Sequence, residues 1–361
     1  MTGVAATGSP LDILVRERSI IVCCGSGGVG KTTTAAALAL RGAEAGRRAC
    51  VVTIDPAKRL ADALGLESLT NTPGKIEGDW PGTLSALMLD TKSTFDDLVA
   101  RYSENPAQAQ GILDNRLYRN MASALSGTQE YMAMEKLFEL HDSGDFDLIV
   151  VDTPPTRNAL DFLDAPRRLT RFLDNRIFRL LVMPTRAYLK AVSLATQAFL
   201  RTVSRVIGAE VVRDAVAFFS AFEGMEVGFR ERAQKVLELL SDKGTAFVLV
   251  ASPRRDAVTE ALFFAERLRE SDIEIEALVV NRVHPRFGPP PKVSDPPPPS
   301  LAPFLANLAD LRHIAEREEH HLGELTVKVR PAPVARVPFL ADDVHDLRGL
   351  AEVGSHLFAL P

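Results

Sequence analysis

The stretch Gly25-Ser26-Gly27-Gly28-Val29-Gly30-Lys31-Thr32-Thr33 follows the apolar run Ser19 to Cys24 and precedes the alanine-rich segment Ala35 to Ala45. It matches G-x-x-x-x-G-K-[ST] in full, a pattern that demands strand, glycine loop and helix in immediate succession. The glycines let successive backbone N–H groups turn toward one anion, and a helix opening near Lys31 adds the positive end of its dipole. Such a cradle suits a nucleoside triphosphate. Lys31 would bridge the β- and γ-phosphates, Thr32 would hold Mg2+, and Thr33 is placed to touch the α-phosphate. The helix is expected to close at Gly46.

Further apolar runs punctuate the chain at Ala49 to Ile54, Leu84 to Leu89, Phe146 to Val151, Ala246 to Ala251, Ala277 to Asn281 and Val334 to Val337. Helical patterns separate them, and several are apolar throughout. Burial on both faces requires such composition, so the expected fold is α/β: a doubly wound, mainly parallel sheet. We expect one P-loop domain over 1–361, with helical insertions at 91–145 and 162–242 forming a subdomain. The proline-rich segment 286–300, with Pro289-Pro290-Pro291 and Pro296 to Pro299, reads as an exposed loop.

A second carboxylate sharpens the reading. Asp152 ends the run Phe146 to Val151, and strand ends of open α/β sheets converge on the ligand crevice, where an acid can hold a magnesium-bound water. The same glycines also satisfy G-x-G-x-x-G, and Asp55 ends the second strand where a dinucleotide fold keeps its ribose-binding acid. Lys31-Thr32 has no task under a dinucleotide pyrophosphate, however, and Pro56 follows Asp55. ATP with Mg2+ is the expected ligand pair.

The formal net charge of -5 supplies no basic field, so nucleic acid is not an expected partner. Cys23, Cys24 and Cys50 sit inside apolar runs without C-x-x-C spacing, which suggests core thiols in a reduced, cytoplasmic setting. Met1 to Pro10 lacks the pattern of a secretory signal and reads as a frayed tail. Ala187 to Ile207 approaches membrane-spanning length but carries Lys190, Gln197, Arg201 and Arg205, favouring an amphipathic helix that is buried or faces cargo.

These motifs resemble the ATPases related to the arsenite-pump ATPase ArsA and to the ATPase that targets tail-anchored membrane proteins, a SIMIBI-class family with a deviant Walker A loop. The resemblance covers nearly the whole chain. It implies that Asp55, in Asp55-Pro56-Ala57, polarises the attacking water, and that Asp152-Thr153-Pro154-Pro155-Thr156 is the second switch. It also implies that Asn281 reads adenine and that Val337-Pro338-Phe339-Leu340, with Asp343-Val344, forms the loop behind the base. Asp55 to Leu60 and Asn158 to Pro166 resemble an actinobacterial subgroup whose members act as one half of a two-protein ATPase.

Departures from the family pattern are equally specific. Ser26 stands where the family usually has a lysine reaching across a dimer, so a homodimer would lack that cation on both sites. The expected partner is therefore a lysine-bearing paralogue, or a second copy, with a protein cargo or membrane protein downstream. The zinc-clamping and arsenite-binding cysteines are absent, since no cysteine lies beyond Cys50. Two alternatives remain: a nucleotide-binding regulatory scaffold, and a partition or positioning ATPase.

Some residues carry a plainer reading beside the functional one. Asp55 could cap the following helix, and Asn281 could be an ordinary strand-end residue. Met121, Met132 and Met134, with Tyr131, are core or cargo groove, with core favoured at helical spacing. His320-His321 suggest a solvated helix face, and the Arg167-Arg168 and Arg254-Arg255 pairs surface charges or phosphate sensors.

Overall fold

The computed structural model describes residues 8–55, 57–116, 118, 128–154, 225–288 and 298–359, with scattered positions between 165 and 218. Pro56, Met121, the stretch 155–164, the apolar segment 187–207 and the proline run 289–297 lie outside the described residues. Contacts divide the chain into two compact units. Met1–Met88, Ser143–Leu160 and Lys243–Pro361 form the first; Leu89–Asp142 and Asp161–Asp242 form the second.

In chain order the elements begin with α1 (Pro10–Glu17), β1 (Ile20–Cys24), α2 (Lys31–Glu44), β2 (Arg48–Thr53), α3 (Arg59–Ala63), β3 (Gly74–Ile76) and β4 (Thr83–Met88). There follow α4 (Thr91–Tyr102), α5 (Pro106–Leu113), α6 (Thr128–Ser143), β5 (Leu148–Asp152) and α7 (Met225–Leu240). The chain continues with β6 (Thr245–Ala251), α8 (Arg255–Glu270), β7 (Ile275–Val283), α9 (Ala302–Lys328), β8 (Val334–Pro338) and α10 (Leu347–Leu357).

One eight-stranded sheet, in the order β3-β4-β2-β5-β1-β6-β7-β8, organises the first unit. Every pairing is parallel except β3 with β4. Each expected strand is present with its ends shifted by a residue or two. β3 was not expected, because Gly74-Lys75-Ile76 is short, largely exposed and without an apolar run, as an edge strand can be. β1, β5 and β6 are buried along their whole length, which explains their unbroken apolar sequence.

α2 lies across β2 and β5, and α10 packs on α2. Leu350, Val353 and Leu357 of α10 join Ala36, Leu38, Leu40 and Ala43 of α2 in the core. The C-terminal helix therefore spends its apolar face inside the fold. α8 ends in the surface pair region of Arg267 and Glu270, and Arg254 pairs with Asp256 at 2.7 Å in solvent, which identifies it as a surface charge. His320 is exposed, while the Nδ1 of His321 lies 3.4 Å from the Pro253 carbonyl.

In the second unit, Asp90 caps α4 by accepting from the backbone N–H groups of Lys92 and Ser93, and Asn105 caps α5 ahead of Pro106. Tyr131, Met132 and Met134 are buried, so these side chains are core. Arg232 donates to Glu135 at 2.8 Å in a nearly dry interior, with Tyr131 donating to the other carboxylate oxygen and the Phe138 ring under the guanidinium. Among the described residues no helix is long and apolar enough to cross a membrane.

Candidate nucleotide site

The glycine loop takes its shape from close approaches that no side chain could survive. Gly25 has φ 147°, and a Cβ there would lie 2.1 Å from the Val250 carbonyl oxygen of β6. Gly30, at φ 97°, stands at the N-cap of α2, and its Cβ would lie 2.1 Å from Asn281 Nδ2. No side chain caps α2, so its first N–H groups stay open toward the loop, as anion binding requires. Lys31 is buried and its Nζ donates to the Ser26 carbonyl at 2.8 Å. Burial pulls the Lys31 pKa down, while the negative fields around it, chiefly that of Asp152, pull it back.

Asp152 ends β5 with no exposure to solvent. Its Oδ2 accepts from Thr32 Oγ1 at 2.8 Å and from Thr53 Oγ1 at 2.9 Å. Its Oδ1 is buried without a partner. A hydroxyl and an orphaned carboxylate oxygen at the mouth of a phosphate loop form a hard oxygen donor set. Mg2+ favours such a set, because it takes one or two protein ligands beside phosphates and water. The residues present fit that ion.

Burial raises the Asp152 pKa to about 6, against the opposing pull of the two threonine hydroxyls and Lys31 and with a small push from Asp55. A folded pKa above the unfolded value means the ionised form is disfavoured in the fold. Relative stability from this group is therefore full below the unfolded value near 4 and is lost as pH rises through about 6. We expect Asp152→Asn, without divalent cation, to be more stable than wild type at pH 8. The gain should be on the order of 3 kcal/mol at most and should vanish near pH 4. Urea melts of both proteins at the two pH values check this.

Asp55 follows β2, and its backbone N–H donates to Thr53 Oγ1 at 3.2 Å. Its Oδ1 accepts from the Ala57 N–H at 3.0 Å, and its Oδ2 lies 3.5 Å from Arg59. This is a local side-chain turn rather than a helix cap, since Lys58 occupies the N-cap of α3. Thr53 thus touches both acids, donating to Asp152 and accepting from the amide of Asp55.

A cavity of about 580 Å³ opens from these groups. Gly28, Gly30, Lys31, Thr32, Thr33 and Asp55 line it together with Asn281, Pro338, Phe339 and Val344. Asn281 is engaged with the loop, its Nδ2 donating to the Val29 carbonyl at 2.9 Å and its Oδ1 accepting from the Arg282 N–H. Phe339 is 61% exposed, with the His284 ring stacked 5.9 Å away, so an aromatic face is available beside the cavity.

The sequence-derived candidates Gly28, Gly30, Lys31, Thr32, Thr33, Asp55, Asn281, Pro338 and Phe339 share this one cavity, and Asp152 is tied to it through Thr32. Ser26 shows another role: its carbonyl holds Lys31, while its hydroxyl is buried and unpartnered. Gly25, Gly27 and Val29 supply backbone rather than cavity-facing side chains. Thr53, Arg59 and Arg282 were not singled out by sequence. Thr53 and Arg59 carried a faint signal, lying two residues before and four after Asp55; Arg282 carried none.

The model of the anion-transporting ATPase family matches residues 18–359. An uncharacterised protein of Streptomyces coelicolor is 32% identical over 274 residues, covering 74% of this chain and 63% of its own length. The ATPase GET3 of Malassezia globosa is 33% identical over 153 residues, 42% of this chain and 44% of that protein. A Chlorobaculum tepidum protein named for arsenical pump-driving ATPase activity is 23% identical over 342 residues, 93% of this chain and 74% of its own. The chain thus spans less than two thirds of the first two relatives. With a family model running through almost all of it, and the glycine loop, Asp55, Asn281, Pro338 and Phe339 gathered around one cavity, the chain belongs to the anion-transporting ATPase (ArsA) family.

Proposed function

We propose that the chain binds ATP with Mg2+ in this cavity and hydrolyses it to ADP and phosphate, using the cycle to switch conformation around a partner. One observation carries the reading most directly: Asp152 holds the Thr32 hydroxyl at 2.8 Å while its second oxygen stays buried and unsatisfied beside the glycine loop. The open amides of α2 and the Lys31 ammonium bind and orient the phosphates. Asp55, partly buried and fixed by the Ala57 amide, holds the attacking water by accepting its hydrogen bond. When bound, Mg2+ would be held by Thr32 directly and Asp152 through water, and would neutralise charge on the phosphates.

Replacing Lys31 by alanine removes a buried charge-assisted contact, so ATP affinity should fall about tenfold to a hundredfold and turnover with it. Calorimetry of Mg-ATP binding checks this. Wild-type protein that shows no magnesium-dependent affinity for ATP or a slow analogue would end the proposal.

The assembly we propose is a dimer in the cytoplasm, with a lysine-bearing paralogue as the other subunit and a protein cargo or membrane protein as client. Ser26 supports the paralogue, because its short, buried side chain cannot carry charge to a second site. The same observation supports a second reading, a regulatory subunit with little hydrolysis of its own. Phosphate release by the complex with the paralogue, measured with this chain as wild type and as Asp55→Asn, separates them: a loss in the variant favours hydrolysis at this site, and no loss favours the regulatory subunit.

A further inference from the structure

We propose that Arg282 is a nucleotide-contacting residue whose guanidinium delivers a second positive charge to the phosphate chain over the glycine loop. The inference rests on ATP binding at this site and names a residue that the loop motif does not contain.

The backbone gives the first observation. β7 pairs with β8 in register up to Val280 and again at Val283, so Asn281 and Arg282 form an irregularity between them. Arg282 adopts φ 62°, the left-handed region that a long side chain rarely enters. Bulges of this kind re-aim side chains beside active sites, and strain at a non-glycine residue persists only where the surroundings enforce it. Here the enforcement comes from Asn281, whose Oδ1 accepts the Arg282 N–H at 2.9 Å while its Nδ2 grips the Val29 carbonyl. The strand end is thereby fastened to the loop.

Direction is the second observation. The guanidinium reaches the tip of the loop, where Nη1 lies 3.3 Å from the Gly28 carbonyl, a long contact that uses one of five donors. Its other side-chain donors have no recorded partner among the described residues. Arg282 lines the same cavity as Gly28, Lys31 and Thr33.

Charge supplies the third. Asp55, Asp62, Asp342 and Asp343 also line the cavity, and a triphosphate must enter against them. The other lining cations are engaged: Lys31 on the Ser26 carbonyl and Arg59 beside Asp55. Arg59 is the lining cation with a carboxylate beside it, whereas Lys31 and Arg282 each hold a loop carbonyl, Lys31 buried beneath the loop and Arg282 exposed. A planar guanidinium with free donors is suited to phosphate oxygens.

A merely structural role, bracing the loop through Gly28, would need a donor but no charge. Mg-ATP and Mg-ADP affinities and unfolding midpoints are therefore to be measured for wild type, Arg282→Gly, Arg282→Gln and Arg282→Lys. We expect the glycine variant to fold at least as stably, since it relaxes the left-handed backbone, and to bind both nucleotides about tenfold or more weakly. Glutamine should behave like glycine, lysine should retain most of the affinity, and the deficit should shrink at high salt. Wild-type affinity in the glutamine or glycine variant, or a deficit insensitive to salt, overturns the assignment. Those results leave ATP binding by the wild type intact, whereas failure of the wild type to bind removes the reading on which the inference rests.

Discussion

Asp55→Asn should keep ATP bound while lowering turnover about 10²- to 10⁴-fold, equivalent to roughly 3 to 5 kcal/mol of barrier. Asparagine is nearly the same size and can still accept the Ala57 N–H at the position of Oδ1, so the local turn survives. What disappears is the negative charge on the second oxygen, the one now facing Arg59 at 3.5 Å. A neutral amide polarises a water far less than a carboxylate does. Binding, which depends on Lys31 and the loop amides, should change little. Calorimetry and phosphate release on one preparation check both halves, and unchanged turnover would transfer the water-holding role to another residue.

The second large effect concerns the fold as much as the site. Gly25→Ala places a methyl group 2.1 Å from a backbone oxygen of β6, at a φ of 147° that alanine disfavours. β1 and β6 are paired from Ile20 to Cys24, so relief requires prying apart neighbouring strands at the sheet's centre. We expect a loss of about 3 kcal/mol or more in denaturant melts and a collapse of ATP affinity, because the loop amides move with the strand end. Gly28→Ala is the matched comparison. Gly28 has φ 75° but nothing within 4 Å of the added carbon, so it should lose only about 1 kcal/mol. Equal stability losses in the two variants would contradict the steric account.

The layout of the site was legible because its parts are local patterns. A strand, a glycine loop and a helix occupy consecutive residues, and Asp152 and Asn281 each follow a long apolar run. The central strands could be placed because burial on two faces leaves long apolar segments such as Leu148–Asp152 and Thr245–Ala251, while the partly exposed edge strand β8 was placed by its valines. β3 escaped because an edge strand of three residues needs only one partner and little apolar surface. Thr53 and Arg282 escaped for a different reason. The hydroxyl matters through contacts to acids separated by 99 residues in one case and two in the other, and the arginine through a backbone angle. Only the place of Thr53 two residues before Asp55 leaves a faint trace in spacing, and the angle of Arg282 leaves none. Asn281 shows the limit from the other side, since its place was legible but its grip on the Val29 carbonyl was not.

The position of β1 also bears on how the chain is made. Its two neighbours, β5 and β6, begin at Leu148 and Thr245, so β1 must wait for more than two hundred further residues of synthesis before both its edges are occupied. Until β6 is made, the apolar Ile20 to Cys24 keeps at least one open edge. Assembly by this order favours slow maturation and shielding by folding helpers, and it makes the early glycine loop among the last features to acquire a fixed shape.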